Sequence, residues 1–213
     1  INLDNVTEGQ AITCSIGLRD IDPKASLFIG ASDNGMIYDE NKLQDLIEND
    51  TLDVDVIIFT FRNNVSSEKN PQMYGWVKTD NDDNAKFVSV KIPISKNPYE
   101  DHAVVGSFWF RKIEYFNQGL SNLLKKDIRV NNEFYIDSLM NELIEMGLKV
   151  KVFEIDNYIC WGTPDDFKTF VYWQSFFHKS IFHPYNLSND NTVNPDKIGI
   201  LDAEYNTFSQ KVS

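Results

Sequence analysis

The sequence predicts an α/β fold with a mixed sheet flanked by helices, and three observations predict it. The run VDVIIFTF, Val54 to Phe61, is β-branched and almost continuously apolar, as in a central strand covered on both faces. Strand-like runs then alternate with stretches of helical spacing. Between them, YGWVKT and KFVSVKIPI flank the turn NDDN, which reads as an inserted hairpin.

In chain order, KASLFIGASDNG reads as a short buried strand, Ser26 to Gly30, running into a polar turn. Glu40 to Ile47 carries Leu43, Leu46 and Ile47 at helical spacing. HAVVGSFWF, His102 to Phe110, is a strand with Gly106 in its middle, where a glycine marks a close backbone approach or a bulge. Helical spacing returns in Ile113 to Leu124 and in Glu133 to Met146, the latter with Asn132 as N-cap and Gly147 as C-cap. Lys149 to Ile155 alternates like a half-buried strand. A helix from Pro164 to about His178 should turn Phe167, Phe170, Val171, Phe176 and Phe177 inward. Beyond Pro184 the pattern becomes an Asn-, Asp- and Ser-rich loop or linker, and IGILDAEYNTF reads as a docking strand or the start of a further element.

The 213 residues suit one domain, or one domain with a tail, and 42% hydrophobic content supplies a sizeable core. A formal charge of −12 argues against a nucleic-acid backbone as partner, since that needs a basic face. It leaves room for a phosphorylated small molecule held through a metal ion or a few local lysines. Cys14 and Cys160 are the only cysteines, so no disulfide framework or cysteine-rich zinc site is expected. With no long apolar run and no signal-peptide pattern, no membrane insertion is expected, and a cytoplasmic location is. A chain opening on Ile rather than Met is expected of a fragment or a processed form.

Asp33 directly follows the first predicted strand, where ligands gather in open α/β sheets, so it is placed to hold Mg²⁺. Ser-Asp-Asn-Gly is also a good turn sequence, and local sequence alone favours that reading. Lys91 lies on a predicted strand, and its ammonium must reach solvent, an acid or a phosphate. Glu133 opens a predicted helix, where an acid offsets the dipole by about 0.3–1 kcal/mol without any ligand. TEGQA, Thr7 to Ala11, is a glycine loop that lets backbone N–H groups approach a ligand. His102, His178 and His183 lack ligand spacing, which sets metal-hydrolase and triad chemistry aside. In YICWGTPDDF, Thr163 is an N-cap, Pro164 the first helical residue, and Asp165 and Asp166 the first turn, with Asp166 able to reach back. These two acids start a helix and are not expected to catalyse.

Taken in order, TEGQA, SDNG, YGWV, VSVKIP, VVGSFWF, NNEFYID and CWGTPDDF resemble the sugar-phosphate nucleotidyltransferases, especially those of capsule and lipopolysaccharide synthesis. The resemblance runs from about Asn5 to Phe177. It implies a glycosyltransferase-A-like, Rossmann-like fold with a mostly parallel sheet, occupying residues 1–183 as the C-terminal portion of the domain and followed by a tail or linker, 184–213. It implies transfer of a nucleotidyl group from an NTP to a sugar 1-phosphate, with Mg²⁺ as cofactor. Thr7, Gly9 and Gln10 match the nucleotide loop, and Asp33 the catalytic metal ligand. Tyr74, Gly75 and Gly106 match the segments beside the sugar, Lys91 the sugar-phosphate lysine, and Glu133 the acid on sugar hydroxyls. A homo-oligomer is open.

Three departures stand out. The family's Gly-rich loop with its Arg and Pro-Lys pair is absent, so the domain is expected to be incomplete at its N-terminus. Val-Lys-Ile-Pro replaces Glu-Lys-Pro. Cys160 stands where many relatives carry an Asp, and a thiol is a poor Mg²⁺ ligand. The alternative is a catalytically silent relative that binds a nucleotide sugar or an assembly partner. A generic glycosyltransferase ranks lower, because SDNG is not an Asp-x-Asp motif.

Overall fold

A computed structural model describes residues 2–3, 5–49, 51–191, 193–200 and 202–203. The chain divides into two compact units, residues 1–158 and 159–213. In order, the elements are α1 (Gln10–Gly17), β1 (Leu27–Ile29), β2 (Asn34–Ile37), α2 (Glu40–Glu48), β3 (Val56–Phe61), α3 (Val65–Lys69), β4 (Gly75–Thr79), β5 (Ala85–Val90), β6 (His102–Phe110), α4 (Ile113–Lys126), α5 (Ile136–Glu145), β7 (Val150–Glu154), β8 (Asn157–Cys160) and α6 (Pro164–Lys179).

The first unit is built on a six-stranded sheet in the order β5-β4-β6-β3-β7, with β1 also paired to β6. β6 runs antiparallel to β1, β3 and β4, and β5 antiparallel to β4. The mixed α/β sheet is as expected, but the parallel majority is not found in its pairings. Among the described pairs only β3 with β7 is parallel. The reason is topological: β6 opposes every neighbour, and the short 80–84 turn makes β4 and β5 a hairpin. β1, β3, β4 and β7 nevertheless all point the same way.

The expected central strand is real, since every residue of β3 is buried. Its alternate side chains divide between two cores. Val56 and Ile58 pack with Phe110, Phe116, Leu120, Leu139 and Leu143 beneath α4 and α5. Ile57, Phe59 and Phe61 pack with Trp76, Trp109 and Phe153 on the opposite face. α4 and α5 meet closely at Gly119, where an added Cβ would lie 2.7 Å from Leu143 Cδ2 and 2.9 Å from Leu139 Cδ2.

Several sequence expectations shift by local geometry. Asn132 does not cap a helix and Glu133 does not open one. Asn131 and Asn132 take left-handed φ of 51° and 64°, and Val130 and Glu133 exchange backbone hydrogen bonds of 3.0 Å across that turn. α5 therefore starts at Ile136, with Asp137 as its first-turn acid. Lys91 is not on a strand either, because β5 ends at Val90 and Lys91 turns left-handed at φ 63°. β2 and the Asn64-capped α3 arise from polar stretches that carry no periodic signal.

In the second unit, α6 begins as anticipated, with Thr163 capping it and Pro164 in the first turn. The expectation that Phe167 and Phe176 face inward is not met, since they are 54% and 51% exposed. Aromatics at 167, 170, 173, 176 and 177 cover more of the helix than one face can bury, and Trp173, Phe176 and Phe177 pack on each other instead. Trp173 lies 5.8 Å from Phe177, and Phe176 5.4 Å from Phe177. The expectation for 198–208 falls largely outside the described residues.

The outer edge of β5 is closed by a side chain rather than a strand. Asn141 Nδ2 donates to the Val88 carbonyl and Asn141 Oδ1 accepts from the Val88 N–H, both at 2.8 Å. Val88 is 1% exposed, so water cannot replace this pairing. Asn141→Leu should therefore lower unfolding stability by roughly 2 kcal/mol or more, the cost of two stranded backbone groups, measured by urea denaturation.

Candidate functional site

The site is built around an interruption in β6. On one side its residues 108–110 pair with β1 and residues 102–103 with β4, leaving the stretch between them without a strand partner on that edge. On the other side, Ile58 faces Phe108 and Thr60 faces Val104, so three residues of β6 stand opposite Phe59 alone. Gly106 sits at the middle of this bulge with φ 93°, a value L side chains rarely adopt. Side chains fill in for the missing strand. Asn34 Nδ2 donates to the Val105 carbonyl at 2.9 Å, and the Ala31 N–H donates to Ser107 Oγ at 3.4 Å. The gap in pairing lies between the carboxyl end of β1 and the start of β4.

The residues singled out in the sequence fall into three groups. Asp33 lies in the bend between β1 and β2, across from Gly106, whose absent Cβ would sit 3.4 Å from Ala31 Cβ. Asp33 is exposed, and no hydrogen bond ties its carboxylate to Lys91 or to the Thr7–Gln10 loop.

Gly75 and Lys91 form the second group. Gly75 opens β4, and its Cβ position lies 3.1 Å from Val104 Cγ2, which connects it to the bulge. The Lys91 N–H donates to the Tyr74 carbonyl at 3.1 Å, and its Nζ donates to the Met73 carbonyl at 2.9 Å. Nζ also stands 5.6 Å from the Tyr135 ring centre. Tyr74 itself belongs to an aromatic cluster, edge-on to Phe61 and to Tyr158, which stack on each other at 4.1 Å.

The third group is the 7–10 loop with Glu133. The Phe134 N–H donates to the Glu8 carbonyl at 2.8 Å, and the Ala11 N–H donates to the Phe134 carbonyl at 3.1 Å. Gly9, at φ 114°, is forced to be glycine, because a Cβ would lie 2.7 Å from Phe134 N and 3.0 Å from Glu133 Cβ. The Thr7 hydroxyl donates to the Gly9 carbonyl at 3.2 Å and meets the Thr13 hydroxyl at 2.5 Å. Gln10 opens α1, whose N-terminus has no side-chain cap. Glu133 is exposed beside this loop, so the structure joins Thr7, Gly9, Gln10 and Glu133 in one place.

Sequence reasoning passed over Asp137. Its carboxylate is buried, and an added Cβ at Gly75 would lie 2.2 Å from its Oδ2. Burial pushes the carboxyl up to about 6, while Lys91's charge and a hydrogen bond from its own backbone pull it back. The available signal was an acid inside the apolar run of Ile136, Leu139 and Met140. Cys160 belongs to the second unit. There its Sγ is 3.5 Å from Asp166 Oδ2, which accepts the Thr163 hydroxyl at 2.6 Å, so Asp166 performs the capping role expected of it.

No group of three or more His, Cys, Asp or Glu side chains among the described residues is arranged to hold a metal. Asp33 alone offers one hard oxygen ligand. Mg²⁺ is commonly bound through one or two carboxylates together with substrate phosphates. Among the described residues, no helix is long and apolar enough to cross a membrane.

Three solved structures share this architecture. A nucleoside-diphosphate-sugar pyrophosphorylase from Vibrio cholerae RC9 superposes with a TM-score of 0.61 at 20% identity, covering 79% of this chain and 66% of that one. The fold is the mixed-sheet α/β fold of that protein. The inositol-1-phosphate CTP transferase of T. maritima matches at a TM-score of 0.52 and 13% identity, over 75% of this chain and 58% of that one. A CMP:2-keto-3-deoxy-manno-octonic acid synthetase complexed with CTP matches at 0.50 and 15%, over 78% of this chain and 67% of that one. The chain thus spans about two thirds or less of the first two proteins it matches. No protein-family model matches the sequence, and no curated protein matches it.

The Asp137 carboxyl makes a signed prediction. Its folded form holds a proton more tightly than the ordinary value of 3.8, so ionisation costs the folded state. This cost is absent below about pH 4, grows as pH rises to about 6, and then persists, reaching up to about 3 kcal/mol. Asp137→Asn should therefore be more stable than the native protein at pH 8, with the gap closing toward pH 4, as read from urea denaturation at both pH values.

Proposed function

We propose that this chain carries the acceptor half and part of the nucleotide site of a sugar-1-phosphate nucleotidyltransferase. The reaction is an NTP plus a sugar 1-phosphate giving an NDP-sugar and pyrophosphate, in the cytoplasm, for surface polysaccharide. The observation that carries the reading is the gap in the pairing of β6 at the Gly106 bulge, with the bend that holds Asp33 on the β1 side and Gly75 on the β4 side. The uncapped N-terminus of α1 behind the Thr7–Gln10 loop adds backbone N–H groups that favour an anion. Solved structures of this fold include a nucleoside-diphosphate-sugar pyrophosphorylase and an inositol-1-phosphate CTP transferase.

In this reading the sugar-phosphate oxygen attacks the α-phosphorus in line. The new P–O bond forms as the bond to the pyrophosphate oxygen breaks, so no side-chain nucleophile is needed. Lys91 spends one of its three N–H donors on Met73 and keeps the others for the incoming phosphate. Glu133 and the Gly75 and Gly106 backbones would orient the sugar. Asp33 would hold Mg²⁺, which screens the repulsion between two phosphate groups.

The test is pyrophosphate release by the natural full-length protein with Mg²⁺, an NTP and a panel of sugar 1-phosphates. Asp33→Ala should abolish release while its thermal unfolding matches the native protein. Normal turnover in that variant would sink the metal assignment. Nucleotide-sugar binding without turnover would assign the chain to the silent, assembly-type alternative.

A further inference from the structure

We propose that Arg129 is a positioning residue whose guanidinium latches the 7–10 loop onto the 130–134 turn, fixing Gln10 and Glu133 relative to each other. The catalytic meaning of those two residues rests on the nucleotidyl-transfer reading, whereas the latch rests on contacts alone.

The latch starts from a firm base. α4 is closed by Asp127, which turns left-handed at φ 49° and returns its N–H to the Leu123 and Leu124 carbonyls. The Ile128 N–H also returns to the Leu123 carbonyl, at 3.2 Å. Arg129 therefore leaves α4 in a set direction. Its side chain crosses Phe134, with the guanidinium carbon 4.1 Å from the ring centre. Phe134 is 1% exposed, so the ring is a fixed platform.

Three acceptors surround the guanidinium. Nε donates to Asp127 Oδ1 at 2.6 Å, and Nη1 faces Glu8 Oε2 at 2.6 Å and the Asn132 carbonyl at 3.3 Å. The first acceptor closes α4, the second belongs to the 7–10 loop and the third to the turn before Glu133. A single exposed ion pair contributes little, because it must order two long side chains. Here the ring and Asp127 already order the guanidinium, so less freedom is lost in reaching Glu8. Glu8 joins the same seam through its backbone. Its carbonyl accepts the Phe134 N–H at 2.8 Å, and the Phe134 carbonyl accepts the Ala11 N–H at 3.1 Å. Those two amides report on whether loop and turn stay together.

Amide hydrogen exchange tests the latch without assuming any reaction. Arg129→Met keeps an apolar stem over Phe134 and removes the charge, and the Ala11 and Phe134 amides should then exchange several-fold faster. The β3 amides should keep their native rates. Glu8→Gln should reproduce the acceleration, and the double variant should exchange no faster than Arg129→Met alone. The Glu8 side chain is 64% exposed, so salt raised to about 1 M should speed the same two amides in the native protein but not in Arg129→Met. Native rates at Ala11 and Phe134 in Glu8→Gln overturn the proposal, even if Arg129→Met fails to fold. Equal acceleration of the β3 amides in Glu8→Gln overturns it as well, because that reports global loosening. A kinetic arm connects the latch to catalysis. Glu8→Gln should raise KM for both the NTP and the sugar 1-phosphate several-fold, with a smaller change in kcat, because no reacting group is lost. A native KM for either substrate overturns the coupling. If the native protein releases no pyrophosphate, the reaction assignment fails while the exchange arm still decides the role of Arg129.

Discussion

β6 is the strand on which the first unit depends. It is the shared neighbour of β1, β3 and β4, it runs against all three, and eight of its nine residues are buried. A strand so placed cannot slip by one residue without exchanging the two cores, which fixes the register of the whole sheet. Its single irregularity is therefore informative. The bulge at Gly106 spoils pairing on both sides at once, and the neighbouring strands end or begin there. The candidate site is the space this irregularity opens, and its floor is backbone rather than side chain.

Around that floor the polar groups are held by backbone contacts made far apart in sequence. The 7–10 loop is stitched to Phe134, and Lys91 to Met73 and Tyr74, while Asn34 reaches Val105. Such hydrogen bonds set position without using up the Asp33 carboxylate. In the reaction proposed above, the protein aligns two anions and performs no covalent chemistry of its own. An acidic chain is compatible with that task when a metal ion carries much of the positive charge.

Much of the fold was legible because its signals are strong. Val54 to Phe61 had to be a covered strand, and Gly106 within an apolar strand indicated a bulge or a close approach. The Thr163–Pro164–Asp166 series wrote out a helix start that the structure repeats. Weak signals misled where two tendencies competed. Asn132 is a good N-cap but is equally content left-handed, and the contact of Phe134 with Glu8 decided for the turn. Lys91 continued an alternating pattern, yet β5 stops where its partner Gly75 begins. Asp137 was passed over because an acid on a helix is ordinary until its burial is known.

The sequence by itself determined the α/β class, the apolar cores and the order of the chemistry-bearing residues, because these follow from periodicity, turn chemistry and composition. Only the tertiary structure decided that β6 opposes its neighbours, that Gly75 faces a buried carboxylate, and that Gly9 meets Glu133. Those facts depend on which strands lie side by side, and pairing partners many residues apart leave no mark in local pattern.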